Sequence, residues 1–568
     1  MWSPFFDSLK PVLYTALRFH LNVQSGKSQA VFSRLNLKRI NRYNLYKPHK
    51  RQIACSKTLK VEDYSLIKEG SIEPREYQLE IAEQVDGNNT IIVLPTGLGK
   101  TAIAALVIAY TIKSRGGKTL FLAPTRILVQ QHKNFLSKVL KLPDGSITSL
   151  TGEDDPISRQ DAWQGKVICA TPQIAFQDHK RGYFDPSKFS LLIIDEVHRA
   201  IGNHSYVEVA KIFPDDTTQK IGLTATLPSD KLKIEMIKSA LSANQILYRD
   251  YESEDVRPFI QKVGVEIKQL EPSEELKTAI NHLKESLRKK LSILADEGLI
   301  SKQAANRLIF KEIIEKREEI LNKGSWNSKF AYTISAKLFL MLKYLETQTY
   351  STFLNFYDKA VSEGKKASAM LARDADVSYS VSLIREEIRK EREHPKLKAL
   401  RDIILQLKKE DRVLVFASYR DTVEQIRHYL ESYGIKCWIL IGKQGASGQS
   451  QEEQIRAVEE FRRGDYQVLI ATQIGEEGLD IAECNIVIFY DNVPSAIRFI
   501  QRRGRTGRRS EGRMVMLMVK GTSDEAYYWV VQRKMKAMKS YVDTMNRKYQ
   551  SSREIENGKY EGTLDRFL

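Results

Sequence analysis

From Glu73 onward the chain repeats one pattern of apolar and polar positions. Short apolar runs rich in β-branched residues, TIIVL (90–94), TLFLA (119–123), KVICA (166–170), LLIID (191–195) and IGLTA (221–225), alternate with stretches of helical periodicity such as 101–114 and 127–140. Strands that are apolar throughout are buried on both faces, and strands alternating with helices predict a parallel sheet covered on each side. The pattern returns after His394 in VLVFAS (413–418), KCWILI (436–441), VLIAT (468–472) and IVIFY (486–490). Between these two regions, from about 272 to 392, the strand signals stop. LKTAINHLKESLRKKLSILADEG and NRLIFKEIIEKREEILNKG carry apolar residues at helical spacing and end on glycine, a helix C-terminal signal. The reading is an α/β protein of two parallel-sheet domains with an all-helical insert domain between them. After Thr522 the pattern is helical again, then polar from Gln550. The expected boundaries are a basic leader over 1–60, a first sheet domain over 61–250, a linker and helical insert over 251–393, a second sheet domain over 394–549 and a polar tail over 550–568.

Composition changes this picture little. A length of 568 residues suits about three or four domains, and 42% hydrophobic with 28% charged residues is usual for a globular protein in water. The longest apolar run, around 102–112, is short of the roughly 20 residues a bilayer needs, so no membrane partner is expected. Cys55, Cys169, Cys437 and Cys484 lie far apart with no CxxC pair, which argues against a disulfide framework or structural zinc and fits a reducing compartment. The formal net charge of +18 points to a polyanionic partner, but twelve Lys/Arg and one acid, Asp7, place +11 of it in residues 1–60. That leader reads as an organelle transit peptide, a basic arm for nucleic acid, or upstream sequence absent from the working protein.

Three short segments carry chemistry. LPTGLGKT (94–101) follows a strand and opens a helix, so backbone N–H groups of Pro95–Thr101 after the proline can cradle phosphate, with Thr96, Gly97, Leu98 and Gly99 forming the turn. Lys100 can reach the β and γ phosphates of ATP and Thr101 can hold Mg²⁺. The strict phosphate-loop pattern asks for glycine where Leu94 stands. LLIIDEVHRA (191–200) ends an apolar strand in two carboxylates, placing Asp195 at the ligand-binding edge of a parallel sheet. Asp195 would hold Mg²⁺ and Glu196 would orient and activate water. QRRGRTGR (501–508) offers Gln501, Arg505 and Arg508 from the second sheet domain to a transferring phosphoryl group.

PREYQ (74–78), LPTGLGKT, APTRILVQQH (123–132), ATP (170–172), DEVH (195–198), TAT (224–226), VFASYR (415–420), ATQIGEEGLDI (471–481) and QRRGRTGR occur in that order. Together they resemble the motif series of superfamily 2 helicases over residues 73–510. LPTGLGKT, DEVH, the run GEEGLDIAECNIVIFYDNVPSAIRFIQRRGRTGR, the following GTSDEAYYW and the helical insert are most similar to the helicase part of the archaeal Hef and eukaryotic FANCM/Mph1 fork-remodelling family. The resemblance implies two RecA-like motor domains and ATP- and Mg²⁺-dependent translocation on DNA, with a preference for forked or branched structures in fork repair and recombination. It implies that Arg75 and Gln78 read adenine and that Gly478 and Asp480 lie on the nucleotide, the latter near the ribose. Thr224 and Thr226 would couple nucleotide state to DNA. Thr125, Arg126, Thr171, Arg420 and Thr472 would touch phosphates along the strand channel, as backbone-tracking motors require. In the insert, Arg288, Lys289, Lys290, Lys311, Lys316 and Arg317 are candidate contacts, although Glu312, Glu315, Glu318 and Glu319 interleave with them and a salt-bridged solvated face is the competing reading.

Hef also carries a nuclease, whose signature this sequence does not show, so a separate nuclease polypeptide is the expected supplier of that step. Two other functions fit parts of the pattern. One is an RNA helicase or duplex-RNA-binding ATPase related to Dicer-type helicases. The other is a binding platform that has lost hydrolysis, against which Lys100, Asp195, Glu196, Arg505 and Arg508 all speak. An archaeal cytoplasm, with the chromosome, is the expected location; a nucleus or mitochondrion follows if the source is eukaryotic. The end of the chain, EGTLDRFL, resembles a sliding-clamp (PCNA) ligand, with Leu564, Phe567 and Leu568 in the apolar places and Glu561 where glutamine is usual. A short helical turn would put the three apolar side chains on one side, tethered by the polar stretch before it.

Overall fold

A computed structural model describes residues 64–152, 154–260, 263–443, 448–473, 481, 484–493, 495 and 512–564. The leader lies outside the described residues. The rest forms two compact units: the helical insert, Ser273–Glu346 with Tyr350–Glu393, and a larger unit holding both sheets together with Thr347–Thr349.

The first sheet has seven parallel strands in the order β3-β4-β2-β5-β6-β1-β7. They are β1 (Thr90–Val93), β2 (Lys118–Leu122), β3 (Ile147–Leu150), β4 (Val167–Ala170), β5 (Phe189–Ile194), β6 (Gln219–Thr224) and β7 (Gln245–Tyr248). Alternate side chains serve opposite faces. Ile91, Val93, Leu120, Leu122, Leu192 and Ile194 enter one core, whereas Ile92, Phe121, Leu191, Ile193 and Leu223 enter the other. This explains why the strands read as continuous apolar runs. The principal helices covering the sheet are α1 (Glu76–Gln84), α2 (Lys100–Ser114), α3 (Arg126–Val139), α4 (Pro172–Lys180) and α5 (Lys231–Leu241). The order β5-β6-β1 sets the carboxyl ends of three chemistry-bearing strands side by side, with neighbouring strands about 4.8 Å apart.

The insert is built mainly from α6 (Glu274–Asp296), α7 (Trp326–Thr347), α8 (Tyr350–Val361) and α9 (Ala375–Arg389). Ser273 caps α6 by accepting from the Leu276 N–H, and Glu274 and Glu275 stand in its first turn, where the helix dipole favours acids. Leu283, Leu287, Leu291, Leu338, Leu345, Phe353 and Ile384 share one apolar core, and the rings of Phe310 and Phe339 stack at 4.0 Å.

The second sheet is also parallel throughout, in the order β10-β11-β9-β12-β13-β8. Its strands are β8 (Val263–Leu270), β9 (Val413–Phe416), β10 (Cys437–Leu440), β11 (Val468–Ala471), β12 (Ile486–Phe489) and β13 (Gly512–Val519). The helices are α10 (Pro395–Leu405), α11 (Arg420–Ser432), α12 (Gln451–Arg463) and α13 (Ser523–Leu564). Two boundaries differ from the sequence reading. The sequence pattern assigns β8 to the linker and insert, yet it pairs with β13 over its whole length, so the insert interrupts the second sheet domain after that domain's first strand. The stretch from Gln550, expected as a polar tether, continues the helix α13 as far as Leu564. Phe567 and Leu568 lie outside the described residues.

α13 spans 42 residues and serves both cores. Val531 packs with Met514 and Met516 of β13, while Met538 and Val542 pack with Leu227, Ile234 and Ile237 of the first sheet domain. Tyr541 donates to Glu235 Oε1 at 2.6 Å and Lys539 pairs with Asp250 at 2.7 Å. Among the described residues, no helix is long and apolar enough to cross a membrane, and no His, Cys, Asp and Glu cluster is arranged to hold a metal by itself.

Candidate active site

The site begins at the end of β1. Leu94 N–H donates to the Thr224 carbonyl at 2.9 Å, locking the ends of β1 and β6 together. The chain then turns through Pro95, Thr96, Gly97, Leu98 and Gly99 and enters α2 at Lys100. Gly97 and Gly99 have φ of +89° and +80°, which side chains resist. A Cβ on Gly99 would also collide with the Gln78 amide. The turn is braced from outside. Tyr77 Oη donates to the Leu98 carbonyl at 2.7 Å and Gln78 Nε2 to the same oxygen at 3.0 Å, while Tyr251 Oη donates to the Thr96 carbonyl at 3.1 Å. The turn leads into the N-terminus of α2, the positive end of the helix dipole, which suits it to phosphate. Lys100 Nζ donates to the Leu94 carbonyl at 3.0 Å, folded over the turn, and Thr101 follows it in the first turn of α2.

Two strands away, Asp195 extends β5. Its N–H donates to the Leu122 carbonyl at 2.8 Å. Glu196 N–H donates to Asp195 Oδ1 at 3.0 Å, and His132 Nε2 lies 2.9 Å from Asp195 Oδ2. Burial would raise the Asp195 carboxyl. The hydrogen bond and charge of His132, the Lys100 charge and the Glu196 N–H outweigh it and hold the group below the usual carboxylate range. Asp195 is therefore an ionised carboxylate facing a lysine. Glu196 sits in the left-handed region, φ +50° and ψ +46°, a costly conformation for a residue with a side chain. Its Oε2 lies 3.1 Å from His198 Nδ1, and the same nitrogen is 3.1 Å from Thr224 Oγ1. The His198 imidazole thus joins the ends of β5 and β6 through Thr224, while Glu196 Oε2 stands beside that imidazole with no hydrogen-bond partner among the described residues.

These residues fit a nucleotide with a divalent cation. The glycine turn gives N–H donors and a lysine for phosphate, and the Thr101 hydroxyl and Asp195 carboxylate are hard oxygen donors of the type Mg²⁺ takes.

The other expected residues fall into three groups. Arg75 and Gln78 cap α1 together, Arg75 N–H donating to Gln78 Oε1 at 3.0 Å, and the Arg75 guanidinium lies over the Phe259 ring at 5.5 Å. Gln78 is buried with its amide engaged by the turn, so it supports that turn directly. Thr125 is the N-cap of α3, its Oγ1 accepting from Leu128 N–H at 3.3 Å, and Arg126 is the first residue of that helix. Thr171 is the N-cap residue of α4. Arg420 opens α11 and hydrogen-bonds the Gly442 carbonyl, while Thr472 N–H donates to the Leu440 carbonyl at 3.0 Å. Thr224 and Thr226 do not face a surface. Both are wholly buried; Thr224 Oγ1 donates to the Thr226 carbonyl at 2.8 Å, and Thr226 Oγ1 lies 3.1 Å from Met538 Sδ. Their hydroxyls are spent inside the protein, so the DNA-binding part expected of them is one of coupling and not of direct contact. Gly478, Asp480, Gln501, Arg505 and Arg508 lie outside the described residues.

In the insert, Arg288, Lys289, Lys290, Lys311 and Lys316 pair respectively with Glu285, Asp376, Asp374, Glu315 and Glu319 at 2.7 to 3.5 Å. This geometry favours the salt-bridged face; the Arg317 Nε is buried. Sequence reasoning missed His132, Tyr77, Tyr251 and Phe259. His132 alone left a trace, because it occupies the buried stripe Val129, His132, Leu136 and Val139 of α3, where a polar residue needs a partner.

Residues 71–229 match the family described as type III restriction enzyme, res subunit, and residues 395–510 match the helicase conserved C-terminal domain. The chain is 38% identical to the Hef helicase domain of Pyrococcus furiosus in its crystal structure, with a TM-score of 0.64, covering 80% of this chain and 98% of that one. It is 39% identical to a putative ATP-dependent RNA helicase of Methanocaldococcus jannaschii, over 85% of this chain and 62% of that protein. It is 31% identical to the ATP-dependent DNA helicase MPH1 of Coccidioides immitis, over 80% of this chain and 44% of that protein.

Proposed function

The chain belongs to the Hef/FANCM/Mph1 type of superfamily 2 helicases, which are ATP-hydrolysing enzymes, and on that premise we propose that it is a motor that translocates on DNA and acts on forked or branched structures. The observation that supports the reading most is the meeting of three strand ends, β1 with Lys100, β6 with Thr224 and β5 with Asp195 and Glu196, at one edge of one sheet. In this reading Lys100 and the turn 95–99 hold the phosphates of ATP. Thr101 and Asp195 hold Mg²⁺, which supplies charge neutralisation at the phosphates when bound. Glu196 orients the attacking water, and the His198 link to Thr224 passes the state of that carboxylate to the TAT segment. Gln501, Arg505 and Arg508 reach the nucleotide from the second motor domain. Thr125, Arg126, Thr171, Arg420 and Thr472 lie along the strand, making phosphate contacts that carry no base sequence.

DNA is preferred to RNA because MPH1 is named a DNA helicase; the M. jannaschii relative is named an RNA helicase, and so RNA is the rival. ATP hydrolysis measured with forked DNA, single-stranded DNA and duplex RNA separates them. Forked DNA is expected to stimulate most. Stimulation by duplex RNA alone would move the assignment to RNA, and no stimulation by any nucleic acid would sink the motor. Lys100→Ala is expected to abolish turnover, with the loss of at least about 100-fold that follows removal of a preorganised charge; an active variant would refute the nucleotide site.

The proposal extends to partners. A sliding clamp would take Leu564, Phe567 and Leu568, and a separate nuclease would cut what the motor remodels, which places the protein with the chromosome. Deleting residues 563–568 is expected to abolish clamp binding in a pull-down and to leave ATP hydrolysis unchanged.

A further inference from the structure

His132 stands less than two helical turns into α3, about 9 Å from Arg126 along the axis at 1.5 Å per residue. It is 6% exposed and Asp195 is 7% exposed. The imidazole lies on the Phe121 ring, centroids 4.4 Å apart, which fixes its plane. Nε2 meets Asp195 Oδ2 at 2.9 Å. An ionised carboxylate only accepts, so Nε2 carries the hydrogen. The other oxygen, Oδ1, is held by the Glu196 N–H at 3.0 Å. One lone pair on each Asp195 oxygen is thereby occupied and the rotation of the carboxylate is set. Without His132, the main-chain bond from the adjacent residue would be its one remaining hydrogen bond among the described residues.

We infer that His132 is a positioning residue for Asp195. Through Oδ2 it fixes which way the remaining lone pairs face, and so the direction from which the carboxylate can hold a hydrated divalent cation. The inference rests on the reading of Asp195 as a Mg²⁺-holding residue. It also gives α3 two duties. Its first turn carries Thr125 and Arg126, proposed to meet the nucleic-acid strand, and its middle carries the hold on Asp195. A displacement of this one helix moves both. Orienting bonds of this kind around metal ligands change metal affinity about 10- to 100-fold when removed.

The test compares the full chain with His132→Leu, which keeps bulk but has no donor, His132→Gln, whose amide N–H reaches about as far as Nε2, and His132→Asn, whose amide falls short. N-methylanthraniloyl-ADP binding is followed by fluorescence, first in EDTA and then with increasing Mg²⁺; circular dichroism checks each fold. Nucleotide affinity in EDTA is expected to be the same for all four proteins. The Mg²⁺ concentration for half-maximal enhancement is expected to rise about tenfold in His132→Leu and His132→Asn and to return to near wild type in His132→Gln. In steady-state hydrolysis, kcat should fall in His132→Leu and His132→Asn with KM for ATP little changed.

Wild-type Mg²⁺ dependence in His132→Leu would overturn the inference. Equal impairment of His132→Gln and His132→Asn would overturn it too, by showing that only packing matters. So would a wild type whose nucleotide binding ignores Mg²⁺. If His132→Leu does not fold, the Gln and Asn variants decide alone. A wild type that shows the Mg²⁺ response but no stimulation by any nucleic acid would sink the motor reading and leave the role of His132 standing.

Discussion

Lys396 and Asp524 are both closed off from solvent. They pair with each other in the second sheet domain, and Lys396 Nζ also donates to the Thr347 carbonyl at 3.1 Å. Burial pushes the Asp524 carboxyl up to about 6, against the pull of the Lys396 charge. The folded state therefore binds a proton near pH 6 that the unfolded chain binds only near 3.8. This carboxyl favours folding increasingly as pH falls from about 6 towards 4, and opposes it when ionised. Denaturant unfolding should show wild type gaining stability relative to Asp524→Asn across that window. At pH 7, Lys396→Met or Asp524→Leu alone is expected to cost about 3–5 kcal/mol, because each strands a buried polar partner, while the double variant returns close to wild type. Such pairs were not legible in the sequence, since their members are distant in the chain and each looks ordinary where it stands. Lys100, Asp195 and Glu196 were legible for the opposite reason. A strand, a turn and a helix N-terminus are continuous in sequence, so the chemistry is written in one short string. His132 lies between these cases, local in its helix but paired with a carboxylate from another strand.

Among the elements, α13 and β8 show where the pattern of apolar residues stops being informative. β8, VGVEIKQL, is an edge strand with mostly exposed or half-exposed positions, and its Glu266 pairs with Arg513 of β13 at 2.5 Å. An edge strand needs no continuous apolar run, so it reads as linker. The far part of α13 is polar and reads as tail in the sequence because no apolar stripe marks it as helix. The middle of α13 is different. Val542 is fully buried against the first sheet domain. Val542→Asp would bury an unpaired charge there, which is expected to release this half of the helix. Limited trypsin digestion should then cut at Lys534, Lys536 and Lys539 well before the sheets are attacked; wild-type protection of these lysines would show that the contact is dispensable.

Across the whole molecule the two parallel sheets and the helical insert were legible, because buried strands leave unmistakable runs and amphipathic helices leave a 3.6-residue period. Charge is distributed differently from chemistry. Residues 1–60 hold +11 of the net +18, yet every residue proposed for the nucleotide lies between Arg75 and Arg508. A variant lacking residues 1–60 is therefore expected to keep nucleic-acid-stimulated ATP hydrolysis. Its single-strand affinity should fall less steeply with salt, by about 0.7 in the log–log slope for each phosphate contact the basic segment made. An unchanged slope would mean that this segment makes no phosphate contact.

α13 has one further consequence. The two sheet domains are joined once by the chain entering β8 and again by this helix, which is rooted beside β13 and lies on Leu227 and Ile234. One covalent route and one packed contact together close a ring. Peeling the far half of α13 from the first domain is then a reversible event inside one molecule, and its return does not depend on how dilute the protein is. Met538, at the point of release, touches Thr226 of the TAT segment. The ring therefore has its clasp on the TAT segment, and the clasp can open without letting the two sheet domains go.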